Sequence, residues 1–424
     1  MIKSRSKKYI EYIATGSELL SPGFIETNSS YLAGKLEELG WKLNFKTIVS
    51  DRLEEIKLIF QTAQKRSWLI FISGGLGPTE DDRTRQAVAE ILKRRLVFHK
   101  EILKNIRKRF ESRGLTMTPS NRRQAYIIDG ATILENPNGT APGMWLEIRG
   151  QIIILLPGPP SELKPMVDNL VFPKLKPFQR RKFLQAVLRI TGAGESWIED
   201  RIKLIYSKLP KKMELTTLAS PGDVQIRLSM PTGRDEEKDQ RKLEEIKKEI
   251  LNLLENKVYS TDGQLLEQVI GQKLTANKMA LACAESCSGG LLANRITNVP
   301  GSSNYFLEGL VTYSNRAKVR ELGVPEELIK AKGAVSEEVA AAMAKGVREK
   351  AGADIGLSTT GIAGPGGGTM EKPVGLVYIG LASSDGVKVE RCLFKGQREQ
   401  IKYQATQKAL DMLRLKLMEI EKGR

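Results

Sequence analysis

The sequence predicts an α/β protein in which two α/β domains are joined by a small α+β module. Three observations carry this reading. Strand-length apolar runs alternate with amphipathic helical stretches through roughly the first 170 residues. A proline- and charge-rich break, "FPKLKPFQRRK", follows, and after it a short β-α-β-α stretch. The alternation then starts again after "YSTDGQ". A chain of 424 residues is long for one domain and can bury more than one core. The boundaries fall at 1–171, 172–257 and 258–424.

In the first domain, "YIEYIAT", "WLIFISGG" and "QIIILLPG" read as strands, and "NSSYLAGKLEELG" and "TRQAVAEILKRR" as helices. This alternation predicts a doubly wound, mainly parallel sheet, and "FPKLKPFQRRK" reads as a linker. The middle module takes a strand at "FLQAVLRIT", a helix opened at "GESWIEDRI", a strand at "VQIRLSM" and the charged helix "DEEKDQRKLEEIKKEILNLLENK". Leu243, Ile246, Ile250 and Leu253 fall on one face of that last helix, which marks it as a half-buried cover. The third domain starts with a helix and the strand "MALACAE", then takes a helix from the glycines and the strand "GLVTYS". The helix "SEEVAAAMAKGVREKA", the strands "IGLSTTG" and "LVYIGLAS" and a last helix from about Gln397 complete it.

Composition narrows the function classes. A 41% hydrophobic and 28% charged chain is that of a globular protein. The sequence carries no membrane-length apolar run and no cleavable apolar segment near its start, so the cytoplasm is the expected location. Cys283, Cys287 and Cys392 cannot make a disulfide framework, and no CxxC pair suggests zinc. His99 is the one histidine, so a metal would rely mainly on carboxylates, which favours magnesium or manganese. The net charge of +17 raises a nucleic-acid reading. The basic residues are scattered among glutamates rather than gathered, however, and read as a surface that attracts anionic ligands.

The chemistry-bearing stretch of the third domain is "MALACAESCSGGLLANRI". Ser286 falls where a strand ends and glycines open a helix, beside amides that can hold an oxyanion or a phosphate. A serine needs a base, and lysine is the candidate where no histidine is near. "VTYSNRAKVREL" supplies Tyr313 and Lys318, the latter able to lose its proton if buried or crowded by Arg316. By spacing alone, Ser286 and Ser288 read equally well as helix caps. Cys287 is the rival nucleophile.

Taken with "TYSNRAKVRELGV", "GAVSEEVAAAMAKGV" and "TTGIAGPGGGTMEKPVGLVYIG", this stretch resembles the nicotinamide-nucleotide amidase domain of the CinA family. The resemblance implies hydrolysis of nicotinamide mononucleotide to nicotinate mononucleotide and ammonia, with no cofactor. It implies Ser286 as nucleophile, Lys318 as general base and Tyr313 as an aid to proton transfer. Ser288, Gly289, Gly290, Thr360, Gly361, Gly364 and Arg398 would contact substrate or order the site, and the Gly289–Gly290 amides would hold the oxyanion. Ser288 stands where the family usually has threonine, a change that keeps the hydroxyl.

In the first domain, "WLIFISGGLGPTEDDRT" places glycines and acids after an apolar strand, as phosphate and a divalent cation require. Capping by Thr79, with Asp81 and Asp82 at a helix start, is the alternative on spacing alone. "TGSELLSPGFIETNSSYL" and "ILLPGPPSEL" add Glu18 and Glu162 after further strands, where open α/β sheets bind ligands. These stretches, with "NRRQAYIIDGATILENPNGTAPGM", resemble the molybdopterin-binding-like domain of the CinA family. The implied activity is cleavage of ADP-ribose to AMP and ribose 5-phosphate with magnesium, manganese or cobalt. Asp81, Asp82, Glu18 and Glu162 would hold the metal. Gly74, Gly75 and Gly77 would approach the diphosphate, and Asn28, Asn138 and Thr140 would line the nucleotide pocket.

The middle module resembles the KH-type domain of the same family. Its "TGAGES" lacks GxxG spacing, which argues for a spacer rather than an RNA clamp. The resemblance also implies a homodimer and nucleotides as small-molecule partners; the scattered basic residues and the lack of a long apolar run argue against nucleic acid and membrane. A nucleic-acid-associated competence or damage-response role and a molybdopterin-handling role are the competing readings.

Overall fold

The computed structural model describes residues 8–179, 183–233 and 235–423. The chain divides into two compact units, 1–183 and 184–424.

The first unit is a doubly wound sheet. Its elements are β1 (Tyr9–Thr15), α1 (Asn28–Glu38), β2 (Phe45–Val49), α2 (Leu53–Arg66), β3 (Ser67–Ser73) and α3 (Thr84–Leu92). A short ribbon of β4 (Leu96–Phe98) and β5 (Tyr126–Ile128) flanks α4 (Lys100–Glu111). β6 (Thr132–Leu134), β7 (Gly143–Ile148), β8 (Gln151–Leu156) and α5 (Pro160–Met166) follow. The main sheet runs β2-β1-β3-β8-β7-β6, parallel from β2 through β8 and antiparallel beyond. β3 and β8 are buried at every residue, as strands covered on both faces must be. Tyr12, Phe71 and Ile154 pack on one side, and Ile13, Phe60 and Ile153 on the other.

The stretch read as a linker is structured. Phe172–Leu175 forms α6 and Lys176–Phe178 a further helical turn. Leu175 is buried in the first core with Phe172 and Phe178 against it. The first unit therefore runs past residue 171, because these apolar side chains outweigh the prolines and charges around them. Arg180 to Lys182 of that stretch lie outside the described residues.

Loops at the C-terminal ends of β1, β3 and β8 meet at one edge of the sheet. Gly74 has φ +94, and a Cβ there would stand 2.2 Å from the Thr15 carbonyl oxygen. Gly114 has φ +65 with nothing within 4 Å of such a Cβ. Gly114→Ala is expected to cost about 1 kcal/mol, the left-handed penalty alone. Gly74→Ala is expected to cost roughly 2–3 kcal/mol in urea unfolding of the first unit, because two backbones must also separate.

The second unit opens with β9 (Phe183–Thr191), whose first residue belongs to the first unit. It continues through α7 (Glu195–Lys208), β10 (Glu214–Ser220), β11 (Asp223–Pro231), α8 (Glu236–Leu254) and β12 (Val258–Ser260). The sheet order is β10-β11-β9-β12, so the β-α-β-α expectation omitted two strands. β10 is largely exposed and carries little apolar signal. Leu243, Ile246 and Ile250 of α8 are buried and Leu253 packs against them, as the helical spacing predicts.

The rest of the unit comprises α9 (Leu266–Asn277), β13 (Leu281–Glu285), α10 (Leu291–Thr297), β14 (Phe306–Val311), α11 (Asn315–Leu322) and α12 (Glu326–Lys332). α13 (Glu337–Ala351), β15 (Ile355–Gly361), β16 (Leu376–Ser383), β17 (Gly386–Leu393) and α14 (Arg398–Lys422) complete it. The sheet runs β14-β13-β15-β16-β17, parallel around β13 and antiparallel from β15 onward. Part-buried polar contacts join it to the preceding module. Arg414 Nη2 donates to the Asn256 carbonyl at 2.7 Å, and Arg189 Nε to that of Gly263 at 2.9 Å. Among the described residues no helix is long and apolar enough to cross a membrane.

Candidate active site

Ser286 follows directly on β13, a strand buried throughout. Its N–H donates to the Thr359 carbonyl at 2.9 Å, and the Gly289 N–H returns to the Ser286 carbonyl at 3.1 Å. This closes a tight turn, which Gly289 and Gly290 complete with positive φ. Lys318 comes from α11, whose start is capped by Ser314 Oγ accepting from Ala317 N–H at 3.1 Å. The strand read as "GLVTYS" ends earlier, at Val311. Thr312 to Ser314 instead lead into the helix that presents Lys318.

Lys318 Nζ lies 3.1 Å from Ser286 Oγ, 2.8 Å from the Thr312 carbonyl oxygen and 3.3 Å from that of Tyr313. The lysine is 1% exposed and forms no ion pair among the described residues. Burial pulls its pKa below the ordinary 10.5, because desolvation disfavours the ammonium. This is the burial route to a neutral amine; Arg316 is exposed. A neutral Lys318 can direct two N–H bonds at the carbonyls and take the Ser286 proton on its lone pair. The Cys287 thiol is buried and pushed up to about 12, so it stays protonated and is a poor nucleophile.

A cavity of about 220 Å³ opens onto these groups, lined by Ser286, Cys287, Tyr313, Lys318, Thr360, Gly361 and Arg398 among others. Arg398, the first residue of α14, donates to the Gly364 carbonyl at 2.6 Å and to the Tyr313 hydroxyl at 3.3 Å. It has no carboxylate partner among the described residues. Thr360 Oγ1 donates to the Ala334 carbonyl at 2.7 Å, so the hydroxyl also ties down the cavity wall.

Four expected members lie outside the cavity lining, and one of them, Gly364, only accepts from Arg398 through its carbonyl. Ser288 is fully buried, its Oγ 2.6 Å from Thr359 Oγ1, and neither it nor Gly289 nor Gly290 lines the cavity. The expected oxyanion hole is corrected with them. Gly289 N–H is taken by Ser286 and Gly290 N–H by the Glu285 carboxylate at 3.0 Å. Sequence reasoning read Glu285 only as the end of a strand. The signal was an acidic residue at the end of a strand, ahead of the glycine turn that opens a helix.

In the first unit, a cavity of about 700 Å³ collects Glu18, Asn28, Gly74, Gly75, Gly77, Asp81, Asp82, Thr140 and Glu162. Asn138 is not among its lining residues; its Nδ2 donates to the Ser161 carbonyl at 2.7 Å. Asp82 accepts from the N–H groups of Gly77 and Thr79, each at 2.7 Å, and so shapes the loop; the capping alternative is corrected too, because α3 starts only at Thr84 with no side-chain cap. Glu162 accepts from Asn136 Nδ2 at 2.7 Å. Among the described residues no three acidic, histidine or cysteine side chains converge as a metal cage, so the four-carboxylate site is corrected. Buried Arg85, which sequence reasoning missed, braces the glycine loop through the carbonyls of Leu76 at 2.6 Å and Gly77 at 3.0 Å.

Fold and sites together define a two-unit α/β protein with a ligand-sized cavity at a glycine loop in one unit and a buried serine–lysine pair in the other. Family models match in the same order: "Probable molybdopterin binding domain" over residues 11–177, "Damage-inducible protein CinA KH domain" over 185–260 and "CinA C-terminal domain" over 263–417. The chain is 47% identical over 406 residues to a relative from Moorella thermoacetica named for competence-damage induction, covering 95% of this chain and 97% of the relative. It is 42% identical over 410 residues to a CinA-like protein of Dictyoglomus thermophilum, covering 97% and 99%. Among solved structures it is similar to competence/damage inducible protein CihA of Agrobacterium tumefaciens, at 39% identity and a TM-score of 0.35, covering 36% of this chain and 93% of that one. The chain belongs to the CinA family.

Proposed function

We propose that the second unit hydrolyses the carboxamide of nicotinamide mononucleotide, releasing ammonia and nicotinate mononucleotide. The observation that carries this reading is the buried Lys318 Nζ, 3.1 Å from Ser286 Oγ. Ser286 Oγ attacks the amide carbon as its proton passes to Lys318 Nζ. The N–H of Cys287, the residue after the nucleophile, takes the oxyanion in place of the occupied glycine amides. Lys318 returns the proton to the leaving nitrogen, the C–N bond breaks and ammonia departs. Water then attacks the ester, gives its proton to Lys318, and Ser286 Oγ is restored as the acid leaves.

Arg398 supplies positive charge at the rim, which supports an anionic substrate. Arg398→Ala is expected to raise KM roughly 10- to 100-fold, the worth of a charged hydrogen bond, with a smaller effect on kcat. The test of the reading is ammonia release from nicotinamide mononucleotide by the full chain, with and without EDTA. Metal-independent release supports it, and no release at any pH removes it.

For the first unit, the glycine loop and the size of its cavity support ADP-ribose cleavage to AMP and ribose 5-phosphate. The carboxylates of Glu18 and Asp81 line that cavity and accept no hydrogen bond from the described residues. They would hold a divalent cation together with diphosphate oxygens and water, a common arrangement for magnesium, and the cation would neutralise charge on the diphosphate. Asp81→Asn is expected to lower metal-dependent AMP release at least about tenfold and to leave ammonia release unchanged. Binding of a pterin without AMP release would favour the molybdopterin reading instead.

A further inference from the structure

We propose that Glu285 is a positioning residue for the Ser286 nucleophile, its buried carboxylate spanning the catalytic turn and clamping it to the start of α10. The inference rests on the amidase reading of Ser286. Glu285 is 1% exposed and has no cationic partner among the described residues. Its oxygens instead accept from three backbone amides: Gly290 N–H and Leu292 N–H at 3.0 Å and Ala293 N–H at 2.8 Å.

A helix start is ordinarily capped by the residue just before its first turn. Here that residue is Gly290, which has no side chain, and the cap comes from five positions earlier, across the nucleophile. The segment held between carboxylate and amides is Ser286 to Gly289. The backbone of Glu285 reaches the base as well. Its carbonyl accepts from Thr312 N–H at 2.8 Å, and the Thr312 carbonyl accepts from Lys318 Nζ at 2.8 Å. One residue thus joins the turn that carries Ser286 to the cradle that carries Lys318. Glutamine in its place would turn an N–H₂ group toward N–H donors, release part of the clamp and let Ser286 Oγ drift from Lys318.

The test pairs Glu285→Gln with Ile296→Val, a core change in the same helix chosen as a stability control. Amide hydrogen exchange over the 286–297 segment, without substrate, and steady-state ammonia release are measured on the full chain. Glu285→Gln is expected to speed exchange at Gly290, Leu292 and Ala293 and to lower kcat roughly 10- to 100-fold, the cost of a misplacement near 1 Å, with KM within about threefold. Ile296→Val is expected to keep its kcat at equal folded fraction. Native exchange at those amides in Glu285→Gln, a native kcat, or an equal loss in Ile296→Val overturns the proposal. If the wild-type chain releases no ammonia, the amidase reading fails, and exchange alone then decides whether Glu285 clamps the turn.

Discussion

Ser286→Ala is expected to lower ammonia release from nicotinamide mononucleotide by roughly a thousandfold or more, and Cys287→Ala to leave it within about threefold. The asymmetry follows from what each side chain touches. Ser286 Oγ has an amine 3.1 Å away and opens on the cavity. The Cys287 sulfur lies with the apolar core of α9, α10 and α14, and burial keeps its proton on. Truncating the cysteine removes packing and leaves the proton path intact. A turnover assay on both variants at matched folded fraction checks this. Survival of activity in Ser286→Ala would move the nucleophile elsewhere.

Lys318→Met is expected to abolish turnover to a similar degree, and the wild-type pH profile should bear the lysine's signature. The base acts when neutral, so kcat/KM falls as pH drops through its free-enzyme pKa. Since burial lowers that pKa, the acid limb lies below 10.5, toward neutral pH. Stability carries the matching sign. Between the lowered value and 10.5 the unfolded chain binds a proton that the native lysine does not, so stability rises with pH across that window. The penalty is absent above 10.5 and complete below the lowered pKa. Lys318→Met removes this slope, while Lys318→Arg keeps a charge and is expected to be both inactive and less stable. Urea titrations at several pH values, beside the kinetic profile, separate the two effects.

Much of the architecture was legible because buried strands carry unbroken apolar runs. "WLIFIS", "QIIILL" and "IGLSTT" announce the sheet centres where the loops converge. β10 and β17 were missed because they are half or more exposed, and the latter reads "GVKVERCL" with no consistent apolar face. "GLVTYS" was extended too far because Thr312 and Tyr313 favour strands intrinsically. Tertiary context ends the strand at Val311 so that Ser314 can cap α11.

The residue types of the serine–lysine pair could be chosen from chemistry, since a chain with one remote histidine leaves lysine as the base. That the two meet across 32 positions came from resemblance rather than periodicity. The oxyanion assignment failed for a physical reason. Sequence displays which amides a glycine turn exposes, but not which are already taken, and Glu285 takes three of them. Two of the first unit's four carboxylates failed likewise: Asp82 is taken by the amides of its own loop and Glu162 by Asn136 from a distant one, partners that a linear reading does not display.

The central claim is that Ser286, activated by Lys318, forms an ester with the substrate's acyl group. Rapid acid quench of the full chain turning over nicotinamide mononucleotide, followed by peptide mass mapping, tests it most directly. The predicted result is an acyl adduct on Ser286 that disappears in Ser286→Ala and in Lys318→Met. An adduct on Cys287, or undiminished ammonia release by Ser286→Ala, would contradict it.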